Sequence, residues 1–173
     1  DKNNNFIDEF EFFKEILTDY DTCHLVEVNP NVFACALYTP KMIKIFNNNG
    51  IDYPLLGTIN NVESHGSNSN GMVKINENIF CSCGRYYYIY IICVDPIQLI
   101  QKIEINNSKS YNCLSFLYFE PRGYLFTSYD SYIMQYKIIT DEYNNFIELQ
   151  LFDTIDNKYN GSKAIITTDD GKI

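Results

Sequence analysis

The sequence contains no tryptophan and only 8 glycines in 173 residues, and it has no long apolar run. A membrane-spanning helix needs about 18 or more consecutive apolar residues. Even the stretch from Tyr86 to Val94 is short and rich in tyrosine, so we expect no membrane insertion. Basic residues are also scarce, with 13 Lys+Arg against 22 Asp+Glu and a net charge of −9. Since nucleic acids and anionic membranes attract cationic surfaces, this balance argues against both as main partners.

The N-terminal residues Asp1 to Asn5 are polar and lack the basic and then apolar organisation of a signal peptide. No initiator methionine is present, so we expect that the chain belongs to a longer parent. Six cysteines are too few for a disulfide scaffold, and most lie within apolar runs. We therefore expect reduced, buried cysteines in an intracellular protein, most simply a cytoplasmic one. The six are Cys23, Cys35, Cys81, Cys83, Cys93 and Cys113.

Apolar residues are nevertheless abundant, at 46% of the chain with 16% aromatics, which is ample for a core. Asn, Ile, Tyr and Phe are frequent, as expected of an AT-rich genome. Short runs of Val, Ile, Tyr and Phe alternate with turn residues, which predicts an all-β protein. Residues 6–17 fit a helix face and an outer strand about equally. The predicted strands are 32–38, 42–46, 72–75, 79–83, 86–94, 99–105, 113–119, 124–128, 132–139, 146–152 and 164–168.

Four tight turns recur along the chain, centred near residues 40, 85, 130 and 170. Each follows a short apolar strand, which in most cases ends in small residues, and three of the turns lead into another apolar strand. A repeat of about 40–45 residues with four strands is typical of a propeller blade. We therefore predict four-stranded antiparallel blades over 6–50, 51–96 and 97–140, and an incomplete one over 141–173, about three and a half in all.

Two segments resemble the WD40-repeat β-propeller family. The segment from Phe119 to Asp130 is similar to the family's Ser-Pro-Asp-Gly turn, apolar strand, Ser-Gly-Ser and turn Asp. Met42 to Asn47, Met-Ile-Lys-Ile-Phe-Asn, resembles the strand that ends in Trp-Asp, with Phe46 in place of Trp. The repeats are degenerate, because Trp-Asp and Gly-His are both absent. The resemblance implies that Phe46 and Tyr136 take over the packing of the missing tryptophan.

Packing between blades requires particular residue types in the strands, and this sequence contains them. A four-stranded unit is too small to bury its own faces, so neighbouring blades must cover them. Strands should then be apolar on both sides, and small residues such as Ala34, Ala36, Ser82 and Ser128 fit where blades crowd together. Natural propellers close with about four to eight blades. We expect the missing blades to come from the rest of the chain or from another subunit.

Catalytic and metal chemistry have few candidates. Cys81 and Cys83 form a Cys-x-Cys pair, but zinc sites more often use Cys-x2-Cys with a second pair downstream. A zinc or redox site here would need His65, Cys93 or Cys113 nearby. The neighbours Cys23 and His24 would face opposite ways on a strand, which disfavours a nucleophile–base dyad. We predict no catalytic residue, no metal and no cofactor.

The candidate partner contacts lie in the repeated turns, which in WD40 propellers form an end face used for ligands. Exposed Tyr and Arg are common interface anchors. The turn near residue 85 contributes an arginine and tyrosines, and the later turns contribute a tyrosine and carboxylates. The candidates are Arg85, Tyr86, Tyr87, Tyr129, Asp130, Asp169 and Asp170.

The resemblance implies a non-catalytic scaffold or subunit of a eukaryotic multiprotein complex, with other proteins as partners. One alternative is a propeller-based enzyme with a hydrolase, thiol or metal site at Cys81, Cys83 or His65. A second alternative is a phosphoinositide-binding propeller. Such propellers carry a Phe-Arg-Arg-Gly motif that this chain lacks, and its net charge of −9 opposes that function.

Overall fold

The computed structural model describes residues 21–62, 71–83, 88–105, 115–119, 122–128, 132–143 and 145–156. Twelve strands occupy these residues. They are β1 (Thr22–Asn29), β2 (Val32–Leu37), β3 (Met42–Asn47), β4 (Leu55–Asn60), β5 (Gly71–Asn76), β6 (Ile79–Cys83), β7 (Tyr88–Val94), β8 (Ile97–Glu104), β9 (Ser115–Phe119), β10 (Tyr124–Ser128), β11 (Tyr132–Thr140) and β12 (Phe146–Asp156). The described part of the chain has no helix that is long and apolar enough to cross a bilayer.

The strands form three antiparallel sheets of four, each built from strands that are consecutive in the chain. The first sheet has the order β1-β2-β3-β4, the second β5-β6-β7-β8, and the third β9-β10-β11-β12. Every neighbouring pair is a hairpin or a short connection, so each sheet is a meander. The prediction of all-β, four-stranded antiparallel units is confirmed.

Equivalent strands of successive sheets lie next to one another. β1 contacts β5 and β5 contacts β9, while β4 contacts β8 at the opposite edge of the first two sheets. Successive sheets therefore stack face to face in the same strand order. This is the arrangement of neighbouring blades, in which each sheet covers a face of the next.

The first apolar core lies between the first and second sheets. From the first sheet it takes β-branched and small residues, including Ala34, Ala36 and Ile43, which are fully buried. From the second sheet it takes Phe80 and Tyr90, which are also buried. Small side chains on β2 thus face large aromatic ones on β6 and β7, and this complementarity brings the two sheets together.

The second core lies between the second and third sheets. Cys81, Ile89 and Ile91 enter it from the second sheet, and Leu125 and Tyr136 enter it from the third. All five are nearly inaccessible to solvent. Because β6 and β7 supply side chains to both cores, these strands are apolar on both faces, as the blade hypothesis predicted.

The predicted substitutes for tryptophan are both buried. Phe46 stacks on Phe33 with ring centroids 5.2 Å apart, and the Tyr136 hydroxyl donates to the Met134 sulfur at 3.2 Å. The small residues Ser82 and Ser128 are buried as well. Aromatic packing is therefore retained at these places without an indole ring.

Ten strands overlap predicted runs, but the grouping of strands into sheets differs from the predicted segments. The predicted boundaries after residues 50, 96 and 140 each fall between the third and fourth strands of one sheet. The loops there contain turn residues that mimic a break between units. Residues 146–156 accordingly complete the third sheet and do not begin a fourth.

The two strands that the sequence did not predict are β1 and β4. Predicted segments 6–17 and 164–168 lie outside the described residues.

Candidate functional site

All seven predicted partner contacts lie outside the described residues. Arg85, Tyr86 and Tyr87 belong to the connection between β6 and β7. Tyr129 and Asp130 belong to the connection between β10 and β11, and Asp169 and Asp170 follow β12. Their role in partner binding stays a prediction.

The Cys-x-Cys pair is part of the core between the second and third sheets. Cys81 and Cys83 both face this core and are fully buried, as their spacing on one strand predicted. Burial raises the pKa of the Cys81 thiol well above its ordinary value of 9.0, and the neighbouring Cys83 adds to the rise. A thiol with a raised pKa is a poor nucleophile and metal ligand, because both roles need the thiolate.

The remaining described thiols are also buried. Burial raises the pKa of Cys35 to about 11, although Lys44 partly offsets the effect. Cys93 donates its thiol hydrogen to the Asp95 carbonyl at 3.2 Å. No group of three or more His, Cys, Asp or Glu side chains within the described ranges could hold a metal ion. Cys35, Cys81, Cys83 and Cys93 are thus buried free thiols, as expected.

The described residues do not place either histidine where it could act as the base of a cysteine nucleophile. His24 is half-buried on β1, where it is paired with Ala36 of β2. His65 and Cys113 lie outside the described residues. The described residues therefore bring no histidine to the Cys81–Cys83 pair.

A cleft of about 610 Å³ opens between the first and second sheets, at the end that carries the β1–β2, β3–β4, β5–β6 and β7–β8 connections. We call it the Asn cleft. Its polar side chains are Asn29, Asn31, Asn78 and Asp95, and its apolar ones are Val32, Leu56, Val94, Pro96 and Ile97. The volume falls within the range of small-ligand sites, about 300–1,000 Å³.

Asn29 fixes the geometry of this cleft. Its side-chain amide donates to the Glu77 carbonyl at 2.8 Å, which ties the end of β1 to the β5–β6 turn. Its side-chain oxygen accepts from the backbone N–H of Asn31 at 2.9 Å. One side chain therefore holds both turns, and the Asn31 and Asn78 side chains project from them.

The cleft was not predicted, although a repeated signal marks it. Asn29-Pro30-Asn31 and Asn76-Glu77-Asn78 occupy the first hairpin of the first and second sheets. In each, the first Asn side chain accepts from the backbone N–H two residues later at 2.9 Å. The two Asn-x-Asn turns are equivalent elements of a repeat, a relation hidden by the many other asparagines.

No protein-family model matches the sequence, and no curated protein matches it significantly. Solved structures do match. A functionally unknown protein from Desulfotomaculum acetoxidans aligns with a TM-score of 0.59 at 8% identity, covering 90% of this chain and 62% of that one. The WD40 β-propeller domain of Doa1 aligns with a TM-score of 0.54 at 12% identity, covering 87% and 45%.

The WD40 repeats of RRP9 align with a TM-score of 0.53 at 11% identity, covering 82% of this chain and 42% of that one. The four-stranded antiparallel sheets of this chain thus have the fold of propeller blades. The chain has a WD40-like β-propeller fold. It spans less than two thirds of each of these three solved chains.

Within this WD40-like fold, the Asn cleft lies at the end of the blades where β1 ends and β2 begins. Cys83 and Tyr88, which flank the β6–β7 connection, lie at the other end of the second sheet. The described residues therefore offer a candidate binding site in the Asn cleft, which contains none of the residues predicted as partner contacts.

Proposed function

We propose that this chain is a non-catalytic WD40-like propeller segment that acts as a protein-interaction scaffold or as a subunit of a multiprotein complex. One observation carries the proposal: both faces of the second sheet, and one face each of the first and third sheets, are used in apolar packing between blades. What stays accessible in the described part of the chain is strand ends, turns and outer strands. These elements suit recognition of other proteins.

The chemistry of the described residues supports binding rather than catalysis. The buried thiols have raised pKa values, and the net charge of −9 favours partners that are neutral or basic. We further propose that nucleic acids and membranes are not main partners, and that the protein is intracellular, in keeping with its buried free thiols.

Because the chain spans 42–62% of the three solved chains, we propose that further blades complete the ring. They would come from the rest of the protein or from another subunit, since about four to eight blades close a propeller.

Affinity purification of the full-length protein with quantitative mass spectrometry tests the scaffold function. We expect a reproducible set of partners at near-stoichiometric amounts. A Cys81→Ser, Cys83→Ser variant should keep the same partners and the same metal content. Recovery of the wild type as a lone monomer would count against the scaffold, and loss of an enzymatic activity or a bound metal in the cysteine variant would favour the enzyme alternative.

A further inference from the structure

We propose that the Asn cleft binds an extended peptide segment of a partner protein, one that carries an aliphatic side chain and, two residues away, a Lys or Arg. The inference rests on the proposed function as an interaction module. It adds a site that contains none of the predicted contact residues, and it adds a class of ligand.

The floor of the cleft is apolar and is shared between two blades. Val32 and Leu56 come from the first sheet, and Val94 and Ile97 come from the second. Leu56 keeps 45% of its surface exposed, and Val32 and Ile97 are half-buried. An aliphatic side chain inserted between the sheets would remove this apolar surface from water, which favours binding.

The polar rim is suited to a peptide backbone. The Asn31 and Asn78 side chains are exposed, and each offers an N–H₂ donor and a carbonyl acceptor. An extended backbone presents one donor and one acceptor per residue, which such amides can satisfy. Because Asn29 ties the backbones of both turns together through its bonds to Glu77 and Asn31, the turns that carry the rim are held in place before a ligand arrives, and less conformational entropy is lost on binding.

The negative charge in the cleft favours a ligand with a cationic side chain. Asp95 supplies a carboxylate that is exposed and forms no ion pair within the described residues. The other acidic group nearby, Glu77, is already paired with Lys74. An anionic ligand such as a nucleic acid or a lipid phosphate would meet the uncompensated Asp95 charge, whereas a Lys or Arg side chain would form a charge-assisted hydrogen bond with it.

The spacing of the two ligand side chains follows from strand geometry. In an extended segment, residues two apart point to the same side and are separated by about 6–7 Å. One side chain can then enter the apolar floor while the other reaches the Asp95 carboxylate at the β7–β8 turn. The cleft volume of about 610 Å³ can hold two side chains together with the backbone that joins them.

A positional-scanning library tests the proposal. The probe is a set of acetylated, fluorescein-labelled heptapeptides of Ser and Gly in which positions three and five are varied through all residue types. Binding to the full-length protein is measured by fluorescence anisotropy. We expect selection of Leu, Ile or Val at one position and of Arg or Lys at the other. An Asp95→Asn variant should bind the selected peptide about tenfold more weakly, because one charge-assisted bond is lost.

The matched control is Glu148→Gln, which removes an exposed carboxylate on β12 of the third sheet. It should bind the peptide as the wild type does, and circular dichroism should show that both variants are folded. The absence of any selected peptide, selection without a basic preference, or equal affinity of wild type and Asp95→Asn would each overturn the proposal.

The same samples separate this proposal from the scaffold function. If wild type and Asp95→Asn recover the same partners and the library selects nothing, the peptide site is wrong and the scaffold function stands. If the library result holds but the wild type is recovered without any partner, the cleft binds peptides and the scaffold function is wrong.

Discussion

Thr127 on β10 places a hydroxyl in the interior of the blade stack. The residue is fully buried, and its Oγ1 has no hydrogen-bond partner in the described part of the chain. Because strand residues two apart share a face, Thr127 points to the same side as Leu125, which packs against the second sheet. A buried hydroxyl without a partner is destabilising.

Replacement of this hydroxyl by a methyl group should stabilise the protein. We expect Thr127→Val to raise the free energy of unfolding by about 1 kcal/mol, because the shape is kept and the unpaired oxygen is lost. Thr127→Ser is the control: it keeps the hydroxyl, loses a methyl group and should lower stability by about 1 kcal/mol. Urea denaturation measures both. A less stable Thr127→Val would show that the hydroxyl has a partner.

The hydrogen bonds of Asp141, at the β11–β12 turn, lead to a prediction about the pKa of its carboxyl group. Hydrogen bonds from the side chain and backbone of Asn145, and from the backbone of Tyr143, lower the pKa of Asp141 below its ordinary value of 3.8. A lowered pKa in the folded state means that the stabilisation is present above the unfolded value and is lost as pH falls through the folded one. In Asn145→Ala, the pKa of Asp141 should move up towards 3.8, as measured by carboxyl ¹³C NMR. An unchanged pKa would contradict this account.

The buried thiols should be protected in the folded protein. Thiol reagents react with the thiolate, and burial raises the pKa of both Cys35 and Cys81. At mildly alkaline pH we expect both to react far more slowly in native protein than in urea, as followed by mass spectrometry of the alkylated peptides. Rapid native labelling of Cys81 would contradict its place in the core between the second and third sheets.

Residue-scale properties were predictable from sequence to different degrees. The burial of the cysteines followed from their apolar neighbours, and the shared face of Cys81 and Cys83 followed from strand periodicity. The role of Asn29 was not predictable, because its partner Glu77 is 48 residues away. Such a contact depends on how two sheets stack.

At the scale of elements, β4 shows how the blades fit together at their outer edges. A Cβ atom added at Gly57 would lie 2.8 Å from Cδ1 of Ile97 on β8. Because Gly57 has no side chain, Ile97 of the next sheet can pack closely against β4. Any side chain at position 57 would therefore force the Ile97 side chain to shift.

A double-mutant cycle tests the fit of β4 against β8. Gly57→Val should destabilise the protein by about 1–3 kcal/mol, because a branched side chain overpacks the contact. In the Ile97→Ala background the same change should cost less, since the obstructing side chain is gone. Thermal or urea unfolding of the four proteins gives the coupling. Additive effects would show that Gly57 and Ile97 do not touch.

The two strands that sequence did not predict have physical reasons in common. In β1 only alternate residues such as Val26 and Val28 are buried. The exposed side of this strand carries an apolar residue, Leu25, which is 65% exposed, so the sequence does not show a clear alternation of apolar and polar residues. In β4, Leu55 and Leu56 are both largely exposed, and Ile59 is the buried residue. Central strands such as β6 and β7 are mostly apolar on both faces and were therefore easy to predict.

At the scale of the whole molecule, the repeat predicted the blades but displaced their boundaries by one strand. The turns near 40, 85 and 130 do connect the second and third strands of each sheet. The breaks that were predicted after residues 50, 96 and 140 are loops inside a sheet, where Asp95-Pro96 and the Asp141 turn look like ends of units. Pairing of the fourth strand with the third decides the grouping, and short-range sequence patterns do not record this pairing.

We propose that the three WD40-like blades form part of a protein-interaction ring. An electron cryomicroscopy structure of the full-length protein, purified with its partners, would decide this. We expect β1, β5 and β9 to lie innermost, further four-stranded blades to close the ring, and partner density to contact strand ends or turns. Three sheets arranged without a common axis, or a ring with no partner bound at its blades, would show that the proposal is wrong.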